Sequence, residues 1–570
     1  MRTATPPRSV RLLAAVTALG CSNLDSLWDR ATQPPDAAPP AVIEALTLAR
    51  DPNVAPRADE DAGGSALEPD PELDFEDAGA ATTDTASDAG EPTDAASDGG
   101  DADAASDAGE FTDAATDAGV PVTITALGWR TGIVDAPRPN ARWMGYVRAG
   151  GSLEVLRGPV GRAGCPARRG SNGSGWYEVV GGGYVCVGPL AVLSDSLAAR
   201  TSTERLPNPP DLAAAMPFAY ARANRPTGVF RRLPSAGDLD AFERGRLDAR
   251  PATVLLPGAL PRLEDLLGAP GTALQRRLLP GMHVSLHREE RADDGATYWH
   301  TQTGGYVRAS TVSPLREVER FQGVALDAQT TLPVAFVMSP TASLWRTHGR
   351  AVTAAGRAAR LTMIPLLDEA AITIGGEQYL RAVDGTMVRA RQVRVVARHD
   401  SPADLGAPDE GWIDVNLDRQ SIVAYEGAQP VYVSLVSTGR RSRTNPEENY
   451  ETLQGSFRIL SKHVATTMDG NSANDGPYSI DDVPWVMYFE GSFALHGAFW
   501  HNGFGATHSH GCVNLSPPDA RWFYRWTWPR VPAGWSGAYA DAQHPGTRVY
   551  VHYDDQALGV RGGPTRVPQH

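Results

Sequence analysis

Three stretches of the chain repeat one pattern: a strand carrying aromatic residues, a glycine turn, then a second strand led by an aromatic residue or Met and followed by Val. WYEVVGGGYVCV occupies 176–187, YWHTQTGGYVRA 298–309 and QYLRAVDGTMVRA 378–390. Alternating faces across a glycine turn describe a β-hairpin. Recurrence at wide, uneven spacing predicts separate small β modules rather than a solenoid. Further strand-like runs between Gly and Pro turns continue from about residue 122. The expected class is mainly β: several small barrel-like modules, then a β-rich domain with one short helix.

The N-terminal fifth cannot join such a core. Residues 22–120 are mostly Ala, Asp, Gly, Ser, Thr and Pro, with near-repeats such as TDAASDGG and TDAATDAG. That composition buries too little apolar area to offset chain entropy, and its like charges extend it. A disordered acidic tether is expected, with no binding motif. Residues 58–119 carry 20 Asp and Glu and no Lys or Arg; outside them 52 basic residues face 47 acidic ones, so the net charge of −15 misdescribes the rest. No basic field points to nucleic acid. The chain has one lysine, Lys462. No Walker-type loop is present, and Lys462 is read as lacking the apolar setting of a Schiff-base lysine.

Arg2, Arg8 and Arg11 lead into the apolar run 12–19 and Gly20-Cys21. Basic residues before a short apolar run describe an export signal over 1–21, too short for the roughly 20 residues a bilayer needs. The four cysteines sort by context. Cys21 closes the signal, Cys165 and Cys186 share one β-rich region, and Cys512 stands alone. One pair plus two singles suits an exported protein with a Cys165–Cys186 disulfide, which would add about 3 kcal/mol if unstrained. The alternative is two free buried thiols.

The densest chemistry is HGAFWHNGFGATHSHGCVNL at 496–515, with one Cys, four His and a Ser. A histidine near a cysteine is the usual means of making a thiolate nucleophile at neutral pH. Cys512 is the candidate nucleophile; His496, His501, His508 and His510 are candidate bases. Gly511 allows close backbone approach, and the N–H groups of Gly511 and Cys512 could face an oxyanion. A helix is expected from Pro517 to about Trp526, with Ser516 as N-cap and Asp519 closing a capping box; its start favours an anion beside Cys512. The domain would begin near Gly411, with strands in WIDVNL, SIVAYEG and PVYVSLVS, then at 457–460, 485–489 and 548–553. A zinc site at His508, His510 and Cys512 is a competing reading, weakened by the lack of carboxylates nearby. A papain-like site fits poorly, because the base would precede the cysteine. Neither metal nor cofactor is expected.

Ser509-His510-Gly511-Cys512-Val513-Asn514, preceded by His496-Gly497, resembles the signature of the L,D-transpeptidase catalytic domain, also called YkuD-like. The resemblance covers roughly 411–555 and includes CVNLSPPDARWFY running into the helix. It implies Cys512 as nucleophile and His496 as its base, with Ser509, His510 and Gly511 shaping the site. Gly497 stands where some members have Ser, so another group, such as a backbone carbonyl, must orient the base. Tyr478, Gly491, Ser492 and Asn514 would meet substrate. TLQG at 452–455 departs from the family's Thr-Pro-x-Gly. The implied partners are peptidoglycan stem peptides: a Cys512 thioester forms, D-Ala leaves, and an amine accepts the acyl group in a 3-3 cross-link. Water as acceptor would give an L,D-carboxypeptidase, and a protein amine a wall-attachment enzyme.

The β stretches resemble bacterial Src-homology-3-like barrels, at 122–197, at 198–320 together with a linker, and at 321–400; 556–570 is a tail. Trp176, Tyr184, Trp299 and Tyr306 are either wall-peptide contacts or barrel core. Residues 261–267 and 271–278 read as short helices, His463 as a surface residue, and His501 and His508 as loop or lid residues. Ala18-Leu19-Gly20-Cys21 resembles a lipoprotein signal, which implies lipidation of Cys21 and a periplasmic protein tethered to the outer membrane. A non-enzymatic wall-binding lipoprotein is the remaining alternative.

Overall fold

The computed structural model describes residues 121–554, apart from 168–172, 196–205, 250–260, 317–320, 350, 403–404, 406, 443, 445–448 and 473–475. The expected signal, lipidation site Cys21, tether and tail lie outside the described residues. Strands dominate, as the hairpin pattern predicts, and all three repeated stretches are antiparallel hairpins.

The first module runs from Thr123–Ala126 to Ala191–Leu193. Ile124, Ile133, Val147, Leu153, Val179 and Val185 form its core, which Trp535 and Ala538, far along the chain, complete. Cys165 and Cys186 form a disulfide. Trp176 is core rather than an exposed contact: it is buried, with Nε1 donating to the Ala163 carbonyl. Tyr184, Trp299 and Tyr306 are half-buried.

In the second module, strands from Ala219–Ala223 to Val312–Pro314 pair around a core that includes Val229, Leu278, Val284 and Val307. The helix expected at 271–278 is instead a strand, Leu274–Leu278. Leu274, Arg276 and Leu278 are buried while Gln275 and Arg277 are half-buried, which is a period of two; buried Arg276 disguised that alternation. Residues 261–267 contain only a 3-10 turn, Leu263–Leu266. A helix not anticipated, Ala236–Glu243, begins at a capping box between Ser235 and Asp238.

The third module packs a three-stranded and a five-stranded sheet around Ala335, Val337, Ile364 and Val388. Its hairpin, like that of the second module, runs into a 3-10 turn: Ala309–Thr311 in one, Ala390–Gln392 in the other. The residues before these turns, Arg308 and Arg389, share a backbone conformation (φ −66°, ψ 124° and φ −67°, ψ 127°). The repeat therefore extends beyond the hairpin.

The C-terminal region is built on a six-stranded sheet ordered Val324–Ala325, Gln429–Leu435, Ser421–Glu426, Gly411–Asn416, Arg548–His552, Gly455–Arg458. Successive residues face opposite sides. Ile413, Val415, Ile422, Val549 and Val551 pack with Val513, Leu515 and the helical Ala520 and Phe523. On the other face Trp412, Val423, Tyr425 and Val433 pack against Val334, Phe336 and Val396 of the third module.

The helix spans Pro517–Trp526, with Ser516 as N-cap. The expected capping box does not form: the Asp519 N–H donates to Ser516 Oγ at 3.3 Å, but the Asp519 carboxylate does not return to the Ser516 N–H. That buried carboxylate accepts from Ser516 Oγ at 2.7 Å, Tyr432 Oη at 2.8 Å, Ser434 Oγ at 2.6 Å and Gly323 N at 2.7 Å, pinning the helix to the sheet. Lys462 sits at the other end and corrects the sequence reading: it is buried, and burial holds its ammonium well below its ordinary pKa. Nζ donates to the carbonyls of Tyr524 and, at 2.8 Å, Thr527, as helix ends favour. These bonds make it a helix cap.

A long hairpin, Ser461–Ser472 with Gly476–Glu490, spans from this domain to the modules. Only its 485–489 part is legible in sequence, because buried polar residues replace apolar alternation. His463, expected at the surface, is buried between Tyr146 Oη and Ser461 Oγ, each 3.0 Å from a ring nitrogen. Near the hairpin's far end, Asp481 pairs with Arg276 of the second module, and Asp482 with Arg148 of the first.

Candidate active site

Two short parallel strands bring the signature together. Phe493–Gly497 pairs with Val513–Leu515 so that Leu495 faces Val513 and His496 faces Asn514. Cys512 thus lies at the entry to one strand, and His496 lies on its neighbour. Both are buried. Among the described residues Cys512 is the cysteine outside the disulfide, and its Sγ is 3.5 Å from the Ser492 carbonyl. Gly491 and Ser492 form the turn leading into the His496 strand, so the expected Ser492 does reach the thiol.

Burial pushes His496 down to about 4, so its imidazole is neutral at physiological pH and can accept a proton. The Gly497 carbonyl lies 3.4 Å from Nδ1. A carbonyl only accepts, so this contact places the ring hydrogen on Nδ1 and the lone pair on Nε2. The Trp500 ring stacks on the imidazole at 5.7 Å.

The turn before Cys512 is tied from several sides. Ser509 Oγ donates to the Cys512 carbonyl and accepts from Gly511 N at 3.2 Å. This corrects one expectation: the Gly511 N–H, read as an oxyanion donor, is already engaged by Ser509. Gly511 has a left-handed backbone (φ +131°), and a Cβ there would come 3.0 Å from the Phe493 ring. Thr452 Oγ1 donates to the Gly511 carbonyl at 2.7 Å and accepts from Gly439 N at 2.9 Å.

His510 points to a different set of partners. Its Nε2 accepts from Arg440 at 2.9 Å, the Tyr478 ring stacks on it at 5.1 Å, and Tyr450 meets it edge-on at 4.8 Å. The structure therefore brings Tyr478 to the signature, through His510. Asn514 is buried, and its amide Nδ2 lies 3.0 Å from His501 Nε2. His501 in turn lies beside His508, ring centres 4.2 Å apart. Sequence reasoning missed Arg440, Tyr450 and the anchoring role of Thr452. The deviation at TLQG marks the position of Thr452, but a side chain holding a backbone carbonyl 59 residues away leaves no periodic signal.

A buried cysteine at the entry to one strand and a neutral histidine on its neighbour are the parts of a thiol acyl-transfer site. Residues 410–551 match the model of the YkuD family, described as the L,D-transpeptidase catalytic domain. A Bacillus subtilis (strain 168) protein named "Putative L,D-transpeptidase YciB" is 25% identical over 124 residues, which is 20% of this chain. The match spans 59% of that relative's length. Among solved structures, the catalytic domain of the E. faecium L,D-transpeptidase is similar at 21% identity, covering 26% of this chain and 100% of that one, with TM-score 0.19. An L,D-transpeptidase from Mycobacterium smegmatis is similar at 18% identity, covering 31% of this chain and 77% of that one, with TM-score 0.19.

Proposed function

We propose that this protein is a peptidoglycan L,D-transpeptidase. The thiol of Cys512 loses its proton to Nε2 of His496 and attacks the carbonyl between an L-centred residue and the terminal D-Ala of a tetrapeptide stem. The amide bond breaks, D-Ala leaves with that proton on its amine, and a thioester remains. The amine of a second stem then attacks the thioester, forming the cross-link and restoring the thiol. Tyr478, Gly491, Ser492 and Asn514 are read as substrate contacts. The observation that carries this reading is the parallel register that sets the His496 strand against the strand entered from Cys512, within a segment matching the family. We also read the three N-terminal modules as Src-homology-3-like wall-binding units, and the protein as an exported, periplasmic lipoprotein anchored through Cys21. Loss of palmitate labelling in Cys21→Ser would support the anchor.

The test is incubation of the purified protein with muropeptides, followed by mass spectrometry. Dimers with three-to-three linkage and release of D-Ala are expected, together with a covalent carbapenem adduct on Cys512. Cys512→Ala should abolish both. Tripeptide alone would identify a carboxypeptidase. Unchanged chemistry in Cys512→Ala, or no chemistry in the unaltered chain, would overturn the reading in favour of wall binding.

A further inference from the structure

Three ligand-type side chains meet on the face of the six-stranded sheet turned away from the helix. Asp414 lies on Gly411–Asn416, His552 ends its parallel neighbour Arg548–His552, and His399 follows the third module's last strand, Val393–Val396. One potential ligand atom from each lies within 4.8 Å of the other two. His552 Nε2 and Asp414 Oδ1 are 2.7 Å apart, and the two imidazole centres 4.5 Å. Asp414 and His552 are buried, whereas His399 is half-buried and gives the cluster a side toward solvent.

Backbone contacts orient both rings. Nδ1 of His552 faces the Tyr553 carbonyl at 3.0 Å, and Nδ1 of His399 faces the Asp400 carbonyl at 2.8 Å. Since a carbonyl can only accept, each Nδ1 carries a hydrogen, and each Nε2 is the nitrogen left for a ligand. Metal-binding histidines are held in this way, one nitrogen donating to a carbonyl while the other binds. The surrounding rings are Trp412, 6.4 Å from His399, and Tyr550, stacked on His552 at 4.9 Å.

We propose that His399, Asp414 and His552 bind a divalent transition metal of the zinc class, through two Nε2 atoms and a carboxylate oxygen. Two imidazoles and one carboxylate are a zinc donor set, and three protein ligands leave a fourth position to solvent. Ligand atoms around tetrahedral zinc lie roughly 3.3 Å apart. The Asp414–His552 pair, 2.7 Å apart, opens slightly to admit the ion, and His399, which lies outside any strand, shifts inward. The metal takes the place of the proton between His552 Nε2 and Asp414 Oδ1, and that proton goes to solvent. The ion would tie the third module's exit segment to the central sheet. The site lies on the opposite sheet face from Val513, so this proposal does not depend on the reaction at Cys512.

The experiment uses the full chain carrying Cys512→Ala, which removes a competing thiol. It is stripped with chelator and titrated with Zn²⁺, bound metal being counted by mass spectrometry and thermal midpoints recorded in parallel. One site that raises the midpoint is expected. His399→Ala, at a half-buried position, should keep the metal-free midpoint yet weaken zinc binding by roughly a hundredfold or more; His552→Ala should also lose it. No zinc retained at micromolar concentration, or unchanged binding in both variants, would leave a structural His–Asp pair and overturn the proposal.

Discussion

Arg276, on a strand of the second module, donates to both carboxylate oxygens of Asp481 at 2.7 Å, and both side chains are buried. Asp482, the next residue, is held by Arg148 of the first module and, at 2.6 Å, by Ser285 Oγ of the second. Two modules thus grip the hairpin that carries Tyr478. Buried pairs are costly to form, because desolvation opposes the attraction. Burial indeed pushes Asp481 up to about 6 with Arg276 beside it. Arg276→Leu, which strands a buried carboxylate, should destabilise the fold by about 3–5 kcal/mol. Arg276→Leu with Asp481→Leu should recover most of that. Urea unfolding of both single variants and of the double variant measures the difference; a double-variant loss equal to the sum of the two single losses would mean the two residues are not coupled.

Thr452 should matter to acylation more than its distance in sequence suggests. Thr452→Val keeps the shape but leaves the Gly511 carbonyl and Gly439 N–H without their hydroxyl partner, at a cost of about 1–3 kcal/mol for such buried groups. The turn that presents Cys512 loses its anchor. Carbapenem acylation should slow at least tenfold in Thr452→Val, while Thr452→Ser restores the hydroxyl and the rate. Equal rates in both variants would show the anchor to be dispensable.

Gly511→Ala tests the backbone of the same turn. The left-handed φ and the 3.0 Å approach to Phe493 make any side chain there strained, by about 1–3 kcal/mol. The protein should still fold, as judged by circular dichroism, but give little carbapenem adduct by mass spectrometry.

The sequence discloses those parts of this architecture that follow short-range rules. The three hairpins carry period-two alternation around glycine turns, the Pro517–Trp526 helix has its N-cap and proline in place, and Cys512 and His496 sit in a dense motif. What it hides depends on contacts between distant segments. Arg276 reads as a helical or surface residue until Asp481 is placed beside it. Lys462 reads as lacking an apolar setting and His463 as a surface residue because a lone polar residue shows no partner in sequence, yet Tyr524, Thr527, Tyr146 and Ser461 satisfy them in the fold. His399, Asp414 and His552 escape for the same reason: no spacing rule connects two residues on paired strands with a third on the segment that leaves another module.

Buried histidines set the acid limit of stability. Burial holds His463 down to about 3 and His283, His300 and His496 down to about 4; the charge of Arg130 adds to the effect at His463. Each group binds its proton in the unfolded chain near pH 6.5 but not in the fold until pH is much lower. Their stabilisation is therefore complete above about pH 6.5 and is lost as pH falls from there toward 4. Three groups oppose this. Asp481 is raised to about 6 by burial, burial likewise raises Asp519, and His552 is raised because the bond to Asp414, its charge and the Tyr553 carbonyl together outweigh burial, so all three favour the fold as pH falls. Burial lowers His287 as well, so five histidine losses exceed three gains, and the urea midpoint should drop between pH 7 and pH 5. His463→Gln keeps a polar group between Tyr146 and Ser461 but cannot titrate. Its unfolding free energy should fall less steeply over that range, by about 1.4 kcal/mol per pH unit where one proton is at stake. Identical slopes in His463→Gln and the unaltered chain would show that His463 already carries a proton in the fold.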